Sequence, residues 1–202
     1  MTNKIIIHIL STEDVKANLE LLLSYIDKER KDKSLSYLDI TKQYQSIGLG
    51  YLIKKYTPGT PIKYKGSNKP YKDNIYFNGA HCNNYIVFAT SNVEIGIDIE
   101  QVKPVKDNLI KHVFSLNDQS KIIDYDSFFK YWTIKEAIVK ADGTGFTTAD
   151  IQNIPCNEKL NIYKEKTYHI KTIQYFDYYI SLASLNDFDL ELKEETISLK
   201  QQ

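Results

Sequence analysis

The chain has 202 residues, with 26 Lys plus Arg against 26 Asp plus Glu and a hydrophobic fraction of 42%, a composition of one or two folded domains and not of a disordered segment. Balanced charge excludes a global field for nucleic acid or an anionic membrane, so any anion site must be local. The longest early apolar run, Ile5 to Leu10, is interrupted by His8 and stops at Ser11-Thr12-Glu13-Asp14, too short for a membrane span or the apolar core of a signal peptide.

Lys4 to Leu10 reads as a buried strand, and Ser11 or Thr12 can cap one helix carrying Val15, Leu19, Leu22, Leu23 and Ile26. The charge run Asp27 to Lys33 reads first as a solvated surface. A second helix follows, with Asp39 as N-cap and Tyr44, Ile47, Tyr51 and Leu52 on one face. Thr57 to Asn74 reads as loops around one short strand, and Asn74 to Phe77 and Tyr85 to Thr90 as strands, the latter turning at Ser91-Asn92 toward Val93 to Ile99. Helical patterns run from about Asn108 to Ala141, broken near Ser115-Leu116-Asn117 with Asn117 as the cap, and Gly143 and Gly145 end the last helix. The rest alternates like an antiparallel sheet, clearest over Tyr168 to Tyr175 and Tyr178 to Ala183, before a polar tail. Strand, helices and strands thus occur in that order on both sides of about residue 93. Cys82 and Cys156 can form neither a disulfide framework nor a structural zinc site by themselves, so a cytoplasmic chain is expected.

In Ile95-Gly96-Ile97-Asp98-Ile99-Glu100 the isoleucines share one strand face and Asp98 and Glu100 project together from the other. Adjacent carboxylates repel unless a cation or a proton joins them. In Tyr131 to Lys140, Ile134, Ala137, Ile138 and Ala141 form one side of a helix, while Trp132, Glu136 and Lys140 form a stripe opposite. Each cluster alone has an ordinary reading, a hydrated surface strand and an i,i+4 pair contributing about 0.3 kcal/mol. His81 beside Cys82 is no nucleophile and base, because neighbours in an extended segment face opposite ways.

Together, Gly96-Ile97-Asp98 and Trp132-Thr133-Ile134-Lys135-Glu136-Ala137-Ile138-Val139-Lys140 resemble the paired motifs of the surfactin-synthetase-activating type of 4′-phosphopantetheinyl transferase, Gly-x-Asp and (Phe/Trp)-(Ser/Thr/Cys)-x-Lys-Glu-(Ala/Ser)-x-x-Lys. Asn68-Lys69-Pro70, Phe77-Asn78-Gly79-Ala80-His81 and Lys140-Ala141-Asp142-Gly143-Thr144-Gly145-Phe146 resemble further family motifs, so the likeness runs from roughly Glu29 to Ala183.

The resemblance implies an α+β fold, a pseudo-twofold pair of similar α/β halves with the active site in the cleft between them. Residues 1–93 would form the half on the coenzyme A 3′-phosphate side, and 94–202 the half with the metal and catalytic motifs. It implies transfer of 4′-phosphopantetheine from coenzyme A to a serine of an apo acyl or peptidyl carrier protein. Asp98, Glu100 and Glu136 would hold Mg2+, with Asp118 ranked below them; Glu136 would act as base and Lys140 would stabilise phosphate oxygens. Arg30, Lys33, Lys69 and His81 would bind the coenzyme. No nucleic acid or membrane partner is expected, and the chain is expected to be a monomer. Three departures, Ala80 for Ser, Gln45 for Arg and Asn68 for Gly, bear on coenzyme affinity more than on chemistry. They motivate the competing expectation of a carrier-binding or coenzyme-binding module of the same fold with little turnover.

Overall fold

The computed structural model of the protein describes residues 3–59, 62–65, 69–72, 75–143, 145 and 151–198. Strand β1 (Asn3–Ser11) is followed by α1 (Thr12–Ala17), α2 (Leu19–Tyr25), α3 (Lys28–Leu35) and α4 (Ile40–Tyr56). Ser11 caps α1 by accepting from the Asp14 amide, and Asp39 caps α4 by accepting from the Thr41 and Lys42 amides, as expected. The single helix expected after β1 is broken. Asn18 leaves helical geometry at φ −117°, ψ 24°, and its side-chain amide donates back to the Asp14 carbonyl, the local competition that makes Asn a poor helix-interior residue. The charge run is helical: α3 packs on α4 at Gly50, where a Cβ would lie 2.6 Å from Arg30 Cγ. That close approach lays the Arg30 stem against α4.

Two short strands, β2 (Lys63–Lys65) and β3 (Lys69–Lys72), stand where one was expected, and β4 (Ile75–Cys82) extends through the whole Phe77–His81 motif. Asn68, Asn74, Thr144 and Phe146, on which parts of the sequence reading fell, lie outside the described residues. The β4 hairpin returns as β5 (Tyr85–Ser91) through Asn83, whose φ of 46° is a left-handed value that Asn tolerates. β6 (Ile95–Gln101) then starts a second sheet.

Helices α5 (Asp107–Val113), α6 (Leu116–Gln119) and α7 (Tyr125–Asp142) precede β7 (Leu160–Tyr163), β8 (Lys166–Tyr175), β9 (Tyr178–Ser184) and β10 (Phe188–Glu194). The cap of α6 is Ser115, which accepts from the Asp118 amide; Asn117 lies inside the helix. Asp124 and Ser127 form a capping box on α7, and Gly143 ends it at φ 75°. The expected polar tail contains β10, where Phe188, Leu190 and Leu192 alternate toward the core.

The first sheet has the order β10-β1-β5-β4-β3-β2 and the second β6-β9-β8-β7. β10 runs parallel to β1, so the end of the chain returns to the first sheet. Ile5, Ile7 and Ile9 of β1 and Val87 and Ala89 of β5 share one core with Ile95, Ile97 and Ile99 of β6 and Ile180 and Leu182 of β9. On the far side of the first sheet, Leu10, Phe77, Ile86 and Phe88 pack on Val15, Leu22, Ile47 and Tyr51. On the far side of the second, Ile134, Ala137, Ile138 and Ala141 of α7 pack on Tyr168, Ile170 and Ala183. The architecture is therefore helix, sheet, sheet, helix. β6 is an edge strand of its sheet, and its Ile97 N–H finds a partner in Asn78 Oδ1 of β4 at 2.9 Å. No helix among the described residues is long and apolar enough to cross a membrane.

Candidate active site

β6 and α7 build the centre. Gly96 permits their contact: a Cβ there would lie 2.1 Å from the Ala137 carbonyl oxygen and 2.3 Å from the Ala141 nitrogen. Thr133 fixes the helix from its other end, its hydroxyl 2.8 Å from Ser181 Oγ on β9. The strand is therefore covered on both faces, and the ordinary reading of a hydrated surface strand does not apply: Asp98 is only 5% exposed.

Asp98 Oδ1 accepts from Lys140 Nζ at 2.6 Å, while Asp98 Oδ2 is buried with no hydrogen-bond partner among the described residues. Burial pushes the Asp98 carboxyl up to about 6; Lys140 opposes that rise and Glu100 adds to it. Glu136, half-buried one turn before Lys140, is pushed up to about 7 by burial and then by Asp98, again against Lys140. Lys140 is raised, the three acids outweighing the burial that disfavours its charge. Trp132, Glu136 and Lys140 all face partly outward, so the expected stripe exists. Glu100 Oε2 lies 3.4 Å from the thiol of Cys82. Among the described residues, no three His, Cys, Asp or Glu side chains meet as a ready-made metal cluster. The donor set nevertheless suits a hard divalent cation: Asp98, Glu100 and Glu136 are near enough to disfavour one another's charge, and Asp98 Oδ2 has no donor among the described residues.

Asp118 is engaged elsewhere. Its Oδ1 accepts from Lys121 Nζ at 3.2 Å and the Cys156 amide at 3.3 Å, and its Oδ2 from Ser115 Oγ at 3.0 Å, so it fastens α6 to the segment before β7. Lys69 donates from Nζ to the Ala141 carbonyl at the end of α7 and is 6% exposed, tying β3 to that helix.

Arg30, Lys33, Tyr37, Lys42, Ser46, Leu49 and His81 line a cavity of about 340 Å³. The side chains of Arg30, Lys33 and Lys42 make no ion pair or hydrogen bond among the described residues, which leaves their charges for an anion. His81 is held below its ordinary value by the surrounding protein and then by Lys140, with Lys42 adding to the effect. It thus stands electrostatically between the cavity and the Asp98 site. Gln45 does not face this cavity: its amide donates to the Asn83 carbonyl at 3.0 Å and the residue is 5% exposed. Ala80 points into the core between the sheets, opposite His81. Neither Gln45 nor Ala80 presents a side-chain donor to the cavity.

Lys135, which the sequence reading left without a role, is completely buried. Its ammonium donates to the Ile151 and Ile154 carbonyls and lies 5.1 Å from the Phe114 ring centre. A lysine on the apolar side of a periodic helix was the signal that could have found it.

Residues 94–191, which span β6 to β10 and carry Asp98, Glu136 and Lys140, match the sequence profile of the 4′-phosphopantetheinyl transferase superfamily. The match covers just under half of the chain. The 4′-phosphopantetheinyl transferase gsp of Aneurinibacillus migulanus is 33% identical over 139 residues, covering 61% of this chain and 59% of that protein. The 4′-phosphopantetheinyl transferase HetI of Nostoc is 34% identical over 120 residues, covering 50% and 48%. For the 4′-phosphopantetheinyl transferase Sfp of Bacillus subtilis the figures are 31% over 78 residues, 36% and 35%. The chain thus spans less than two thirds of the length of these relatives. The matched segment contains Asp98, Glu100 and Glu136, whereas the cation-lined cavity lies before it, on α3, α4 and β4.

Proposed function

We propose that the protein transfers 4′-phosphopantetheine from coenzyme A to a serine hydroxyl of an apo acyl or peptidyl carrier protein. The observation that carries this reading is the meeting of Asp98, Glu136 and Lys140 on β6 and α7, next to a cavity lined by cations that make no ion pair among the described residues. Residues 1–93 would hold the adenosine end of the coenzyme and 94–202 the reacting phosphate, as a pseudo-twofold pair of halves.

Arg30, Lys33 and His81 bind the 3′-phosphate, which places the diphosphate toward Lys140. Mg2+ held by Asp98, Glu100 and Glu136 would supply positive charge against that diphosphate. Lys140 holds Asp98 ionised through Oδ1 and offers its remaining N–H groups to phosphate oxygens, where charge stabilisation is strongest away from water. Glu136, one turn before Lys140 on α7, takes the proton from the carrier serine. The serine Oγ then bonds to the phosphorus bearing the pantetheine arm, and the bond from that phosphorus to the departing adenosine 3′,5′-bisphosphate breaks. Lys69 steadies the end of α7 through the Ala141 carbonyl in this scheme and does not contact the coenzyme.

The test is release of adenosine 3′,5′-bisphosphate on mixing the protein, coenzyme A and magnesium with purified apo carriers from fatty acid, polyketide and nonribosomal peptide systems. Release with at least one carrier is expected. None with any carrier, under conditions where a relative works, would leave only a binding module.

A further inference from the structure

We infer that Lys42 makes this chain distinguish a coenzyme carrying a 3′-phosphate from one lacking it. The inference rests on the transferase reading for the identity of the ligand, but its geometry is independent of the motifs that suggested that reading. Lys42, Ser46 and Leu49 succeed one another at i, i+4 and i+7 along α4, so one face of the helix looks into the 340 Å³ cavity. Gln45, the residue that motif position would put beside the phosphate, is held on the Asn83 carbonyl instead.

Four basic groups line the cavity, but they are not equivalent. Arg30 and Lys33 also line a neighbouring cavity of about 490 Å³, together with Lys54, Lys72, Asp27 and Glu29, so their charges are shared between the two. Lys42 and His81 are the basic groups that line the smaller cavity and not the larger one. They are near enough for the Lys42 charge to act on the imidazole. A phosphate dianion seated between them meets the fixed charge of Lys42, added to those of Arg30 and Lys33 on the same cavity, and one ring able to donate a hydrogen bond. The side chain of Lys42 makes no ion pair among the described residues, so no protein contact has to be broken for it to reach the ligand. An ammonium on a flexible stem needs no fork geometry to meet a phosphate, whereas the arginine expected at position 45 would.

The experiment is calorimetric titration with adenosine 3′,5′-bisphosphate and with adenosine 5′-monophosphate, ligands that differ by the 3′-phosphate alone. Wild type, Lys42→Gln, Lys42→Arg and Gln45→Ala are compared. A charge-assisted hydrogen bond to a phosphate is worth enough for the wild-type preference to fall roughly tenfold in Lys42→Gln. The preference is expected to return in Lys42→Arg, to stay unchanged in Gln45→Ala and to weaken as salt is raised. A Lys42→Gln protein that keeps the wild-type preference overturns the inference, as does a wild type that binds the two ligands equally. Because the readout is binding, a protein that discriminates through Lys42 yet modifies no carrier refutes the transferase reading and leaves this inference standing.

Discussion

Replacing Glu136 with Gln removes a carboxyl whose ionisation the fold opposes. Its value rises from 4.5 to about 7, first through burial and then through Asp98. Folding therefore binds its proton more tightly than the unfolded chain does. The unfavourable contribution is absent below pH 4.5, grows as the pH rises toward 7 and is complete above that. At 1.36 kcal/mol per pKa unit the shift corresponds to about 3 kcal/mol. In metal-free buffer Glu136→Gln should thus be more stable than wild type by up to about 3 kcal/mol at pH 8 and equal to it near pH 4.5. Equilibrium urea denaturation at both pH values measures this, with an unchanged m-value showing that the same surface unfolds. Magnesium at pH 8 should stabilise wild type more than the variant, because a ligand that binds only the folded state raises its stability. A difference independent of pH, or a variant less stable at pH 8, would refute the claim that Glu136 is held as an ion against its environment.

Asp98→Ala should abolish carrier modification while the circular dichroism spectrum stays that of a folded protein, since the change relieves carboxylate repulsion and removes the partner of Lys140; near-normal turnover would take Asp98 out of the centre. Gly96→Ala forces a methyl group into the α7 backbone and should cost about 3 kcal/mol, lowering the melting temperature by roughly 10 °C; an unchanged melt would mean that β6 and α7 are not in contact. Glu195, which accepts from His8, Lys55 and Tyr56, is held down to about 2 from 4.5. Its stabilisation is complete above pH 4.5 and lost as the pH falls toward 2, so Glu195→Gln should lose about 3 kcal/mol at pH 7 and nothing near pH 2, read from denaturation midpoints.

The parts of the site that sequence could reveal are those set by local periodicity. Alternation over Ile95 to Ile99 and a 3.6-residue period over Tyr131 to Ala141 give both elements and the faces they present, and Ser11, Asp39 and Gly143 mark helix ends by their own chemistry. What local pattern does not contain is the partner each side chain finds. Gln45 lies three residues from Lys42 on α4, and only the position of the β4–β5 turn decides that Gln45 goes to Asn83. Asp118 has the acidity of a metal ligand but is held by Lys121, Ser115 and the Cys156 amide, a contact made across a long stretch of chain. The return of β10 beside β1 likewise depends on a distant pairing, though its alternation of Phe188, Leu190 and Leu192 was there to be read. Lys135 shows the converse: motif position singles it out, and complete burial against the Ile151 and Ile154 carbonyls gives it a structural task.

The central claim, that the centre on β6 and α7 carries phosphopantetheine to a carrier serine, is tested most directly by the intact mass of an apo carrier after incubation with the protein, coenzyme A and magnesium. The account predicts a gain of one phosphopantetheine group with wild type, none with Asp98→Ala and none when the carrier serine is replaced by alanine. An unmodified carrier with wild type, or equal modification by Asp98→Ala, would contradict it.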